Sequence, residues 1–284
     1  MNKYWAIIKT MQIHPLFWLI ALIAVVTAHF IDLFMLFFIV FIHEIGHALA
    51  AVFFSWEIKR IQLLPFGGVA EFHEGGVHSL KEELIVVLSG PFQHVWLISV
   101  AFFLHQFSFL TEHTFHLFLH YNWMIVLFNL LPIYPLDGGR LMNVFFCYLF
   151  PYIVALRWSI YVSFTILVLS LFLLVIFFPF HINGWLIFFF LLFSLYKEWK
   201  NIPYIFIRFL LDRYGEKKEK RRKIKKIYVT EETAVQTVVS RFFHGKEHAI
   251  VFENDEKRKV HEKDFLKRFF ERKPTERTMR ELFS

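Results

Sequence analysis

The chain has 284 residues; 57% are hydrophobic and 20% aromatic, with 39 Phe. A water-soluble globule has nowhere to put that much apolar surface, so the composition points to a protein of the bilayer. Charge is divided sharply: residues 1–196 carry 7 Lys/Arg against 9 Asp/Glu, and residues 197–284 carry 24 against 15. The lone cysteine, Cys147, excludes an intrachain disulfide framework and any CxxC metal site.

In chain order, six apolar spans are expected: Pro15–Phe30, Leu33–Phe54, Leu84–Phe107, Phe115–Leu131, Val154–Pro179 and Ile182–Tyr196. The first leads straight into the second and reads as an anchor, not a cleavable signal. Lys3, Lys9, Lys59, Arg60, Lys81, Arg140, Arg157 and the tail cations all fall on the side of the termini. The opposite loops, near Ile31–Asp32, Ser108–Thr114 and Phe180–His181, have no Lys or Arg. The positive-inside rule then puts both termini in the cytoplasm.

Between the second and third spans, Ile58–Leu64 and Val69–Phe72 read as strands around the turn Pro65-Phe66-Gly67-Gly68, a hairpin at the membrane surface. Residues 197–226 read as a basic linker, with Lys217–Lys223 drawn to acidic lipid rather than to nucleic acid. Residues 227–284 form a small α+β domain: strands at Ile227–Val229 and Ala249–Glu253, helices at Thr233–Phe243 and Glu262–Glu271. The fold class is thus an α-helical polytopic membrane protein with a surface hairpin and a small α+β tail.

The second span holds His43-Glu44-Ile45-Gly46-His47. Positions i and i+4 share a helix face, so both imidazoles can reach one metal ion, with Glu44 placed as general base. Ionisable groups inside an apolar helix are costly and mark function. A hydrolytic zinc site needs a third ligand and an open position. Asp137 is the candidate third ligand; Pro132, Pro135, Gly138 and Gly139 break the helix around it. A helix N-cap is the other reading of this aspartate. Asn129, in the fourth span, is a candidate oxyanion or substrate contact, with an interhelical hydrogen bond as its other reading. A transporter or metal carrier is the rival class, and would need carboxylates on more spans.

At these residues the chain resembles the site-2 protease family of intramembrane zinc metalloproteases. The resemblance is carried by His43–His47, by Asn129 and Pro135-Leu136-Asp137-Gly138, and by Leu64–Gly68 and Ser89-Gly90-Pro91. It implies one Zn2+ per chain on His43, His47 and Asp137, with Glu44 catalytic. Phe66 and Gly67 of the turn are candidate substrate-binding residues at the site entrance, and a lipid-facing place is the other reading of Phe66. Many relatives carry Asn where this chain has His94, for which a polar packing contact is expected rather than a fourth ligand.

The likeness is nearest to the sporulation branch of that family, through His14-Pro15, Ala51–Trp56 and Leu63–Gly68. That implies a membrane-associated sigma-factor precursor, pro-sigma-K, as substrate, inhibitory membrane proteins as partners, and a place in the mother-cell membrane around the forespore. The tail, Ile227–Glu271, resembles one cystathionine-β-synthase (CBS) module, which implies ATP or another adenine nucleotide as ligand and a homo-oligomer formed through that domain.

Overall fold

The computed structural model describes residues 11–13, 22, 25–27, 30–64, 67–73, 78–215, 223–253, 255–271 and 278–283. Phe66, most of the expected first span and all of the Lys217–Lys223 run but Lys223 lie outside them. The chain divides into two compact units.

The first unit takes in most residues to Gly75, Lys81–Leu131 and Leu136–Gly138. Helix α1 (Phe30–Phe53) is built inside out for water. Phe30, Phe34, Phe38 and Phe53 are exposed, while His43, Glu44 and His47 are buried with Ile39, Ala48 and Ala51. That arrangement suits a helix whose outer face meets lipid. Helix α2 (Leu80–Gln106) carries Pro91 within it, which removes one donor from the helical ladder. Helix α3 (Glu112–Asn129) starts at Thr111, whose side chain accepts from the Thr114 amide at 3.3 Å. Ile39 of α1, Leu97 of α2 and Ile125 of α3 form a buried cluster.

The expected hairpin is present as β2 (Glu57–Leu64) antiparallel to β3 (Gly67–His73). A short strand not anticipated, β1 (Met11–Ile13), runs parallel to β2, so the sheet order is β1-β2-β3.

The second unit takes in Pro132–Pro135 and Gly139 onward, with Gly76–Leu80. Helix α4 (Asp137–Leu149) supplies Asp137 to the first unit from its first turn. Helices α5 (Tyr152–Phe177) and α6 (Ile182–Gly215) follow. The turn before α4 is held within this unit by the Tyr134 amide donating to Ser163 Oγ of α5 at 3.0 Å. Helix α6 runs for 34 residues, past the Tyr196 end expected for the last span. Lys197, Glu198 and Lys200 end the apolar run without ending the helix.

The tail is a three-stranded sheet, β4 (Ile224–Val229), β5 (Glu247–Phe252) and β6 (Asp255–His261), in that order. Its helices are α7 (Val235–Ser240), α8 (Glu262–Glu271) and α9 (Met279–Phe283). The α+β character is as expected, with β6 and α9 as additions. Phe242, Phe265, Leu266, Ile250 and Met279 form its core, and Phe209 and Leu210 of α6 belong to the same cluster.

A buried ion network ties α6 into that core. Arg213 Nε lies 2.9 Å from Glu262 Oε1, and its guanidinium also donates to the Lys246 carbonyl. Glu262 Oε2 accepts from the His248 amide and from His248 Nδ1, each at 2.8 Å. His248 Nε2 accepts from the Phe243 amide at 2.9 Å, which leaves the ring proton on Nδ1.

Among the described residues, three helices are long and apolar enough to cross a membrane: α1, α2 and α5. Helix α3 is shorter, at 18 residues, and is diluted by Glu112, His113, His116, His120 and Asn122. Helix α6 is diluted by its charged second half.

Candidate metal centre

Two histidines four residues apart and an aspartate 90 residues beyond the second converge in the first unit. His43 Nε2 and His47 Nε2 are 3.1 Å apart. Asp137 Oδ2 is 3.1 Å from the first and 3.2 Å from the second. Donors around a tetrahedral ion with ligand bonds of ~2.0–2.1 Å stand roughly 3.3 Å apart. The three atoms therefore form a near-equilateral triangle of the size that zinc or a similar divalent ion requires, and a tetrahedral ion on it keeps a fourth position open. All three residues are buried, and they are the one metal-competent group among the described residues. Glu44, also buried, directly follows His43.

The helices reach this closeness through glycine. A Cβ on Gly90 of α2 would come 2.2 Å from His47 Nε2 and 2.9 Å from His43 Cε1. A Cβ on Gly46 of α1 would come 2.6 Å from the Ser89 carbonyl oxygen. The two glycines let α1 and α2 cross with backbone against side chain. Beside Asp137, a Cβ on Gly138 would come 2.1 Å from the Leu130 carbonyl oxygen, so the start of α4 packs directly on the end of α3.

Each histidine is oriented from behind. His47 Nδ1 donates to the Val86 carbonyl at 2.8 Å. His43 Nδ1 lies 3.1 Å from His94 Nε2, and His94 Nδ1 lies 3.1 Å from Asn122 Oδ1. His94 thus has both ring nitrogens engaged away from the triangle, which leaves neither to serve as a fourth ligand. Asn122 escaped the sequence reading; its only signal is one amide in the apolar stretch Tyr121–Leu127.

Asn129 closes α3 half-buried, and among the described residues it makes no hydrogen bond to His43, His47 or Asp137. Gly67 opens β3, and Phe66 lies outside the described residues.

An inside-out helical membrane protein with a buried His-His-Asp triangle beside a glutamate is, as a class, a membrane metallopeptidase. Residues 31–114 match the model of peptidase family M50. Stage IV sporulation protein FB of Bacillus subtilis (strain 168) is 41% identical over 99% of this chain and 99% of its own length. Zinc metalloprotease MJ0392 of Methanocaldococcus jannaschii is 33% identical over 39% of this chain and 33% of its own length. Among solved structures, the site-2 protease from Methanocaldococcus jannaschii shares the fold, with a TM-score of 0.55 at 23% identity over 66% of this chain and 89% of that one. The chain belongs to peptidase family M50, the site-2 proteases, and is a metalloendopeptidase. The family resemblance read from the sequence is borne out.

Proposed function

We propose that this chain is an intramembrane zinc endopeptidase in which His43, His47 and Asp137 hold the ion and Glu44 is the catalytic base. The observation that carries the reading is the buried triangle of three ligand atoms with edges of 3.1–3.2 Å. Zinc, when bound, supplies a Lewis acid that polarises the scissile carbonyl and brings the pKa of water toward ~7. Glu44 takes the proton from the attacking water and returns it to the leaving amine. Gly90 and Gly46 keep the two histidines packed against α2, and the apolar wall of α1 limits bulk water around Glu44. Asn129 is proposed as a substrate or oxyanion contact made once substrate is bound; Phe66 and Gly67 are assigned to the substrate path.

The substrate class proposed is a membrane-associated sigma-factor precursor of the pro-sigma-K type, cut in the mother-cell membrane around the forespore. Support comes from 41% identity over the full length to a sporulation protein. A six-span topology with both termini cytoplasmic fits the distribution of Lys and Arg. Residues 1–196 are read as the protease domain and residues 227–284 as a regulatory CBS-like module for an adenine nucleotide, paired with a second copy and opposed by inhibitory membrane proteins. Co-expression of the chain with a membrane-tethered precursor tests the central claim. Glu44→Gln should abolish cleavage and leave bound zinc and expression unchanged; retained proteolysis sinks the assignment.

A further inference from the structure

We propose that Asn122 and His94 are positioning residues that fix which nitrogen of His43 faces the metal. The inference rests on the zinc reading above and extends it to two residues outside the ligand set.

Asn122 is the far end of the relay. Asn122 Nδ2 donates to the Phe118 carbonyl at 3.0 Å. A carbonyl can only accept, so the amide nitrogen is committed there and Oδ1 is left facing His94. Oδ1 is an acceptor, and its contact at 3.1 Å therefore requires the proton on His94 Nδ1. A neutral imidazole with Nδ1 protonated has a bare Nε2. That bare nitrogen lies 3.1 Å from His43 Nδ1, which must then be the donor. With its proton on Nδ1, His43 presents an unshared pair at Nε2, the atom 3.1 Å from both His47 Nε2 and Asp137 Oδ2.

One backbone carbonyl on α3 thus dictates, through an amide and an imidazole, the tautomer of a side chain on α1. The relay crosses three helices, and its two intermediate residues are sealed from solvent, His94 at 2% and Asn122 at 0% exposed. Water cannot substitute for either. His47 reaches the same tautomer in one step through the Val86 carbonyl. His94 therefore gives His43 what a carbonyl gives His47. Partners of this kind behind a metal-binding histidine set ring orientation and ligand basicity, and their loss costs roughly 10- to 100-fold in metal affinity.

The test uses the full chain in detergent. Zinc affinity is measured by chelator competition, and Co2+ loading by visible d–d absorption, for wild type, His94→Leu, His94→Gln, Asn122→Leu and the control His43→Ala. Wild type should bind one ion per chain, and His43→Ala should lose it. His94→Leu and Asn122→Leu should bind zinc roughly 10- to 100-fold more weakly with an altered Co2+ spectrum. His94→Gln, whose amide oxygen can accept from His43, should recover most of that loss. Wild-type affinity and spectrum in both leucine variants, with the control intact, would overturn the relay. So would equal losses in His94→Gln and His94→Leu, which would reduce His94 to a packing residue. Failure of the control removes the zinc reading and the relay together.

Discussion

Gly90 and His47 face each other with no room for a single added carbon: a Cβ on Gly90 would stand 2.2 Å from Nε2, the nitrogen turned toward Asp137. Gly90→Ala is therefore expected to push His47 out of the triangle while leaving the chain inserted and folded. A misplacement near 1 Å in a catalytic group costs on the order of 10²-fold in rate. Cleavage of a tethered substrate, read beside bound zinc per chain, checks this; a fully active Gly90→Ala enzyme would mean that the helices cross differently.

Stripping the ion should have two separable effects. Proteolysis should vanish in a strong chelator and return on adding zinc. The chain should also melt at a lower temperature, because a ligand at a thousand times its Kd stabilises the native state by about 4 kcal/mol. In Asp137→Ala the melting temperature should no longer respond to zinc. Thermal scans in detergent with and without the ion decide the point.

The Arg213–Glu262 pair makes a prediction for the tail. Both side chains are almost fully buried, at 2% and 5% exposure. Removing one member of such a pair leaves an uncompensated charge and costs about 3–5 kcal/mol. Glu262→Gln keeps the shape and deletes the charge, so β5 and α8 should lose hydrogen-exchange protection. Unchanged protection there would show that solvent reaches Arg213.

His248 sets a pH dependence of the same region. Burial is the largest influence on this imidazole and pulls its pKa below the ordinary value; Glu262 opposes that, and Arg213 and Lys225 add to it. The folded tail therefore favours neutral His248, whereas the unfolded chain takes up a proton near pH ~6.5. Stability from this group is present above that pH and falls away as pH drops below it, toward the depressed folded value. Tail unfolding followed between pH 7 and pH 5 should show the loss, and His248→Gln should flatten it.

The sequence carried the centre well because its chemistry is local. HExxH on one helix face and an aspartate between helix breakers need no tertiary knowledge, and the three side chains converge. The hairpin was legible from alternation on both sides of a Pro–Gly turn, and α8 has the bounds its pattern indicates, Glu262–Glu271. Strand β6 was hidden because Asp-Glu-Lys-Arg-Lys reads as solvated loop, while an edge strand tolerates charge. The extension of α6 was hidden because charge ends a membrane span but not a helix. Asn122 and Gly90 could not be assigned, because their roles exist only once α1, α2 and α3 cross.

The length of α6 has a consequence of its own. At 1.5 Å per residue its 34 residues rise about 51 Å, well beyond the ~30 Å of a hydrocarbon core. Its first half is apolar, and its last turns are fastened to the C-terminal core by Phe209, Leu210 and Arg213. Leu195 and Arg213 are separated by roughly 27 Å of helix, whose hydrogen-bond ladder loses one donor at Pro203. The C-terminal core is therefore joined to the apolar half of α6 through helix and not through a tether, with Pro203 as a point where that helix can bend. Inserting or deleting one residue between Leu195 and Arg213 would shift that core by ~1.5 Å along the helix axis and swivel it by about 100° relative to the apolar half.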